Sequence, residues 1–139
     1  MPILYQAARP WLRVGLDYFF ADIEAVGVNQ VPAQGPVIFV ANHPNSVMDP
    51  LVLATRLDRS IHFLARSGLF AGRLANAAMS AGGAIPVYRA QDGSTAGNDA
   101  MFEAVYRLLA GGGCLGIFPE GHNAEERAVG AIRTGAARI

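Results

Sequence analysis

Apolar residues along this chain fall into two kinds of pattern. Short continuous runs, rich in β-branched residues and bounded by glycine, proline or polar residues, predict buried strands. Longer stretches with apolar residues three or four positions apart, such as Met101, Val105 and Leu108, predict helices with one apolar face. The predicted strands are IEAVGV, VIFVA, IHFLAR, AIPVYR and CLGIF, and the predicted helices are residues 10–21, LVLATRL, LFAGRLANAAMSA and STAGNDAMFEAVYRLLA.

The order of these elements predicts the fold class. Strands that alternate with helices are typical of an α/β domain, here a mostly parallel sheet flanked by helices. A chain of 139 residues is long enough for one compact domain of this kind. In parallel sheets, functional sites form at the carboxyl ends of the strands. Three predicted strands lead into NHPNSVMD, PVYR and PEGH, and we expect these ends to converge on one cleft.

The first 22 residues are predicted to be an N-terminal segment, carrying the amphipathic helix, that precedes the α/β domain of residues 23–139. The stretch PWLRVGLDYFF places Trp11, Leu16 and two phenylalanines among only two charges. Such a face either packs on the domain core or lies on a membrane surface, and the sequence leaves both possibilities open. The last residues, IRTGAARI, stop inside a helix-like pattern, which predicts that the domain is incomplete at its C-terminal end.

Composition narrows the range of possible partners. The 11 basic and 11 acidic side chains cancel, which argues against a nucleic-acid partner, since phosphate neutralisation needs a basic surplus. The single cysteine, Cys114, cannot form an internal disulfide and lies in an apolar run that predicts burial. His43, His62 and His122 are scattered and lack the spacing of zinc ligands, so no metal site is predicted.

His43 and Asp49 are a candidate pair for acid–base chemistry. A histidine near its ordinary pKa is mostly neutral at pH 7 and can accept a proton from a hydroxyl, and a carboxylate on the other ring nitrogen fixes the tautomer. Pro44 keeps His43 out of a continuous helix, so a contact requires the loop PNSVM to fold Asp49 back. Alternatively, Asp49 is only the N-cap of the next helix, with Pro50 as its first residue. The spacing alone leaves both interpretations open.

Other candidate residues follow the remaining strand ends. Arg89 closes AIPVYR and is either an anion clamp or a surface arginine paired with a carboxylate. Glu120 and Gly121 follow the strand CLGIF, and the glycine allows backbone amides to approach a phosphate closely. Arg133 lies downstream and could add a second positive charge.

Three motifs together resemble the glycerolipid acyltransferase family, which includes glycerol-3-phosphate and lysophosphatidic acid acyltransferases. The motifs are VANHPNSVMDPLVL, GAIPVYR and IFPEGH, in this order and at these intervals. The stretches HFLARSGLF and RTGAARI are also similar to family segments, so the resemblance runs from about residue 23 to residue 139. It implies a glycerol-3-phosphate acyltransferase-like fold.

The resemblance also implies an activity and a role for each candidate residue. The reaction would be O-acyl transfer from acyl-CoA or acyl-carrier protein to a hydroxyl of a glycerol phosphate or lysophosphatidic acid, in phospholipid biosynthesis. It would take place at the cytoplasmic face of a membrane, with the enzyme bound peripherally and without a bound cofactor. By motif match, His43 is the base and Asp49 its partner. Arg89 binds the acceptor phosphate, Glu120 and Gly121 shape the acceptor site, and Arg133 is a further substrate-binding candidate.

The sequence departs from the common family pattern in three ways. Five residues separate His43 from Asp49, where the commonest form has four, which predicts a longer loop. His122 follows FPEG in place of the usual threonine or serine, and the family's final hydrophobic motif is absent. The last two departures favour one alternative, a non-catalytic module that binds lipid or phosphate on the same fold. A second alternative is a hydrolase that uses the same dyad with water.

Overall fold

A computed structural model describes residues 3–88, 97–121, 132 and 134–139 of the chain. Helices and strands alternate as the sequence predicts. The helices are α1 (Ile3–Phe19), α2 (Met48–Arg56), α3 (Arg73–Ala81) and α4 (Asn98–Ala110). The strands are β1 (Val37–Val40), β2 (Ile61–Arg66), β3 (Ala84–Val87) and β4 (Cys114–Ile117). Short 3-10 helices cover Val28–Gln30, Ser67–Phe70 and Thr134–Arg138.

The four strands form one parallel sheet in the order β1-β4-β2-β3. The last strand in sequence is therefore inserted between the first two, with Cys114 paired to Val37 on one side and to Ile61 on the other. Pro86 lies in β3, at an edge of this sheet, where a residue without an amide hydrogen is tolerated. The predicted α/β class with a mostly parallel sheet is confirmed.

The central strand β4 is buried on both faces. On one face, Leu115 and Ile117 pack with Met101 and Val105 of α4. On the other face, Cys114 packs with Leu57 and Ile61, next to the end of α2. Each fully buried side chain of this type stabilises the fold by roughly 1.5–3 kcal/mol relative to its exposed state. The sheet is thus a rigid platform whose strand ends hold the loops that follow them.

Arg59 ties β1 to β4 at the opposite end of the sheet from the candidate site. Its guanidinium donates to the carbonyl oxygens of Pro32 (2.8 Å), Gly35 (2.7 Å) and Gly112 (2.7 Å). These carbonyls belong to the segments that lead into β1 and β4. Charge-assisted bonds of this kind are stronger than neutral ones, so they help to fix the register in which the two strands run to their carboxyl ends.

Two local predictions about the N-terminal region are wrong. Helix α1 begins at Ile3 rather than at residue 10, although Pro10 lies inside it. The turns before the proline are anchored from outside the helix, because Tyr5 donates to the carbonyl of Ala54 and Arg9 donates to that of Leu57. The segment IEAVGV is not a strand, and Gly27 (φ 75°) turns it into the first 3-10 helix.

Helix α1 has one buried and one exposed apolar face. Leu16 is 4% exposed and belongs to the face that packs towards the domain, whereas Trp11 (79%), Val14 (64%) and Tyr18 (93%) are open to solvent. We call these three exposed residues the outer stripe, since their spacing places them on one side of the helix. Within the parts of the chain that the structure describes, no helix is long and apolar enough to cross a membrane.

His62 on β2 makes the stability of the fold depend on pH. Burial lowers the pKa of its imidazole, and a hydrogen bond with the backbone of Cys114 opposes this shift. The unfolded chain binds a proton at this position more readily than the folded chain does. The contribution of neutral His62 to the free energy of unfolding is therefore fully present above about pH 6.5. This contribution is lost as the pH falls through the lowered pKa of the folded state.

We therefore expect acid to destabilise the His62→Gln variant less than the unsubstituted chain. Urea unfolding at about pH 7.5 and about pH 5.5 gives the loss of unfolding free energy for each protein, and the loss should be smaller for the variant because its residue 62 does not titrate. Equal losses in the two proteins would contradict this origin of the pH dependence.

Candidate active site

The carboxyl ends of β1 and β4 are neighbours, and two of the three predicted motifs meet there. The backbone amide of Ala41 donates to the carbonyl of Ile117 (3.2 Å), one step beyond the paired strands. His43 follows β1 by a few residues, and Phe118 to Gly121 follow β4 directly. The parallel pairing of β1 with β4 thus brings the histidine motif beside the FPEG motif.

The predicted contact between His43 and Asp49 is present. The Nδ1 atom of His43 lies 2.9 Å from Oδ2 of Asp49. With Nδ1–H donating to a carboxylate, the neutral ring carries its lone pair on Nε2, the nitrogen that can accept a proton. The two side chains are 15% and 22% exposed, so they are largely shielded from water but still open to a bound molecule.

Asn45 folds the loop that brings Asp49 back to His43. Its side-chain oxygen accepts from the amides of Val47 and Met48 (both 3.4 Å), and its carbonyl accepts from the amide of Asp49 (3.3 Å). Its own amide donates to Oδ2 of Asp49 at 2.7 Å, so one carboxylate oxygen accepts from both Asn45 and His43. This turn folds the five residues PNSVM between His43 and Asp49 so that the two side chains meet, as the sequence predicts.

The prediction that Asp49 is the N-cap of the helix is wrong. Helix α2 begins at Met48, with Val47 at the N-cap position, so Asp49 and Pro50 both lie in the first turn. The free amides at the helix start are taken by the Asn45 side chain, in a reciprocal arrangement similar to a capping box. Asp49 still favours the helix start, because a carboxylate in the first turn complements the helix dipole.

An aromatic column supports the histidine ring from the side of the sheet. The rings of His43 and Phe118 are stacked, with centroids 3.9 Å apart and an interplanar angle of 14°. Phe118 in turn lies parallel to Phe63 of β2, with centroids 6.0 Å apart. Sequence analysis did not single out either phenylalanine, although Phe118 opens the FPEG motif.

The FPEG segment forms a tight turn after β4. The amide of Gly121 donates to the carbonyl of Phe118 (3.1 Å), and Gly121 has φ 71°, a left-handed conformation that favours glycine. Glu120 is fully buried. The Glu120 carboxylate thus lies inside the protein beside the turn, and the role in shaping the acceptor site that the resemblance implies for Glu120 and Gly121 stays a prediction.

The two remaining predicted site residues, Arg89 and Arg133, lie outside the described residues, and so does His122, which follows FPEG. The motif GAIPVYR, which contains Arg89, includes strand β3, and β2 lies between β3 and β4. Strand β3 is therefore about 14 Å from β1, three strand spacings away. The three strand ends therefore share one edge of the sheet, but only two of them are adjacent.

Arg66 is a cation at this edge that sequence analysis missed. It is the last residue of β2, the strand between β4 and β3, and its side chain is exposed. The signal that could have found it is its position as the final residue of the predicted strand IHFLAR.

The geometry fits general base catalysis on a hydroxyl. A neutral histidine with one nitrogen fixed by a carboxylate and the other facing away from it is the arrangement that removes a proton during nucleophilic attack. Within the described residues, no three His, Cys, Asp or Glu side chains come together as a metal-binding group.

Comparisons with known proteins agree with this chemistry. A family model described as Acyltransferase matches residues 22–139. An uncharacterized acyltransferase of Schizosaccharomyces pombe is 35% identical over 104 residues, which cover 71% of this chain and 15% of that protein. A chloroplastic 1-acyl-sn-glycerol-3-phosphate acyltransferase of Arabidopsis thaliana is 28% identical over 130 residues, or 93% of this chain and 35% of that protein.

A third relative is similar over a shorter region. Glycerol-3-phosphate O-acyltransferase 1 of Saccharomyces cerevisiae is 42% identical over 62 residues, which cover 43% of this chain and 8% of that protein. The chain thus spans about a third or less of the length of these curated relatives. No solved structure gives a significant match to the chain.

Proposed function

This chain belongs to the acyltransferase family, and we propose that it moves a fatty acyl group from acyl-CoA or acyl-carrier protein to a hydroxyl of a glycerol phosphate or of lysophosphatidic acid. The predicted resemblance to glycerolipid acyltransferases is confirmed at the level of the family. The observation that carries the proposal is the 2.9 Å contact between His43 and Asp49 at the carboxyl edge of the sheet. The names of two relatives, which specify glycerol 3-phosphate and its 1-acyl derivative as substrates, support the choice of acceptor.

The proposed reaction uses His43 as a general base. Its Nε2 accepts the proton of the acceptor hydroxyl while that oxygen attacks the carbonyl carbon of the thioester. The carbon–oxygen bond forms, the carbon–sulfur bond breaks, and the proton passes from the imidazolium to the departing thiolate. Asp49 stabilises the imidazolium while it exists. All atoms and charges are accounted for by the two residues and the two substrates. Because a thiolate is a good leaving group, the departing sulfur needs no other acid than the imidazolium.

Recognition of the acceptor phosphate is proposed for residues that follow the strand ends in the sequence. Arg89 and Arg133 retain their proposed role as phosphate-binding cations, since arginine can contact phosphate with two hydrogen bonds. Gly121 and the buried Glu120 would shape the acceptor site, as the turn after β4 adjoins His43. Arg66, at the end of β2, is a further cation on the same edge.

A membrane surface at the cytoplasmic face is the proposed location of the whole protein. The outer stripe of α1 supports this, because Trp11 and Tyr18 are the side chains that favour the boundary between lipid and water. The proposed acceptors and the acyl chain are themselves membrane lipids or their precursors, so peripheral attachment would bring the site to its substrates.

An acceptor screen tests the proposal. Purified protein is incubated with an acyl-CoA or acyl-carrier protein and, separately, with glycerol 3-phosphate, lysophosphatidic acid or no acceptor. The released thiol and the acylated product are both quantified. We expect thiol release to depend on one of the phosphate-bearing acceptors and to match product formation mole for mole.

Two results of the screen would count against this proposal. Release of free fatty acid at the same rate without acceptor would indicate a hydrolase that uses the same dyad. Binding of the lysolipid without any turnover of either donor would indicate a non-catalytic lipid-binding module.

A further inference from the structure

We propose that Phe118 is a positioning residue for the general base, and that its ring stabilises the imidazolium form of His43 during acyl transfer. This inference rests on the proposed function of His43. Phe118 acts through the histidine ring, against which it is stacked at a centroid distance of 3.9 Å. It is the first residue after β4, the most buried strand of the sheet.

The geometry of the stack defines the plane of the imidazole. The interplanar angle of 14° means that the two rings lie nearly face to face. The Nδ1–Asp49 bond fixes one point of the histidine ring, but rotation about that point remains possible. A flat surface against the ring face removes this remaining freedom. Together the carboxylate and the phenyl ring fix where Nε2 points.

The ring of Phe63 lies behind Phe118, on the side away from His43, in a space that is open because residue 116 is glycine. Phe63 lies parallel to Phe118 on its strand neighbour β2, at an interplanar angle of 10°. Gly116 of β4 pairs with Phe63, and a Cβ atom at Gly116 would lie 2.4 Å from the Phe63 ring. The missing side chain therefore admits the Phe63 ring, which in turn lies behind Phe118.

The face of the Phe118 ring also has an electrostatic effect. An aromatic ring carries partial negative charge on its faces and attracts a cation placed over them. The neutral imidazole becomes a cation only when it takes the proton of the acceptor hydroxyl. The attraction is therefore stronger in the transition state than in the ground state, which is the condition for raising kcat rather than lowering KM.

Three variants separate this role from ordinary core packing. Phe118→Leu keeps an apolar side chain but removes the ring face, and we expect kcat to fall about tenfold with little change in the KM of the acceptor. Phe118→Tyr keeps the ring and should restore kcat to within about threefold of the unsubstituted chain. Phe39→Leu is the matched control, since Phe39 is a partly buried phenylalanine of β1 that packs on the cluster of Leu57, Ile61 and Cys114, whereas the ring stacked on His43 is that of Phe118.

The proposal is overturned if Phe118→Leu keeps its kcat, or if Phe39→Leu loses as much kcat as Phe118→Leu at equal unfolding free energy. In that case Phe118 contributes packing alone. Urea unfolding of both leucine variants provides the comparison of stability.

A spectroscopic measurement on the unsubstituted chain tests the stack without turnover and without any substitution of Phe118. The ring hydrogens of His43, assigned by their absence from a His43→Gln spectrum, should be displaced upfield in proton NMR by the ring current of Phe118. Hydrogens without this displacement contradict the stack. If the acceptor screen shows no acyl transfer, the proposed function fails; if the ring hydrogens are not displaced, this inference fails, so the two failures are distinguishable.

Discussion

Replacement of His43 by alanine should lower kcat for acyl transfer by about 10²–10⁴-fold, the usual contribution of a positioned general base. The reason is that the acceptor hydroxyl is a poor nucleophile until its proton is removed, and in the described site Nε2 of His43 is the nitrogen placed to remove it. Folding should be retained, because the His43 ring lies at the edge of the sheet rather than in either core cluster.

The measurement is thiol release from acyl-CoA with the acceptor that the screen identifies, at saturating concentrations of both substrates. His62→Gln is the control for histidine loss elsewhere in the sheet, and we expect it to keep its kcat near pH 7.5, where His62 is neutral. Normal turnover by His43→Ala would remove the general-base assignment and with it the proposed mechanism.

Asp49→Asn should cause a loss of similar size, about 10²–10⁴-fold in kcat, with a KM for the acceptor that stays within about threefold. The amide keeps the size of the side chain but loses the charge that stabilises the imidazolium. It can also present its NH₂ group to Nδ1, which would leave the His43 lone pair on the wrong nitrogen. Asp58→Asn is the matched control, since Asp58 is an exposed carboxylate that pairs with Arg9.

A double variant distinguishes a coupled pair from two independent residues. If Asp49 acts only through His43, then His43→Ala with Asp49→Asn should be no slower than His43→Ala alone, because the second change has nothing left to affect. Multiplied losses in the double variant would show that Asp49 contributes to catalysis by a separate route, such as direct contact with a substrate.

Much of the candidate site could be predicted from the sequence because its chemistry is local. His43, Asp49 and the turn-forming Asn45 lie within seven consecutive residues, and the position of Pro44 already requires a loop rather than a helix. The cap of α2 could not be predicted as reliably. Asn45 and Asp49 are both good capping residues, and the choice between them depends on whether the Asp49 carboxylate is taken by His43.

The N-terminal region shows why propensity alone misplaces boundaries. Pro10 is typical of a first helical turn, so the sequence predicts a start there. In the structure, Tyr5 and Arg9 bind carbonyls at the end of α2 and so stabilise the turns before the proline. Contacts between distant segments compensate for the hydrogen bond that proline lacks, and no local pattern reports them.

The sequence by itself determined the alternation of strands and helices, the α/β class, the family and the pairing of His43 with Asp49 by motif. Each of these depends on residues that are close in the chain or on their order along it. Only the tertiary structure decided which strand ends are neighbours. The runs VIFV, IHFLAR, AIPV and CLGI are all short and apolar, so any order of the four would bury similar surface. The order β1-β4-β2-β3 places Phe118 against His43 and leaves β3 at the far edge. The stack behind the base is therefore a consequence of strand insertion, which depends on hydrogen bonds and packing between residues far apart in the sequence.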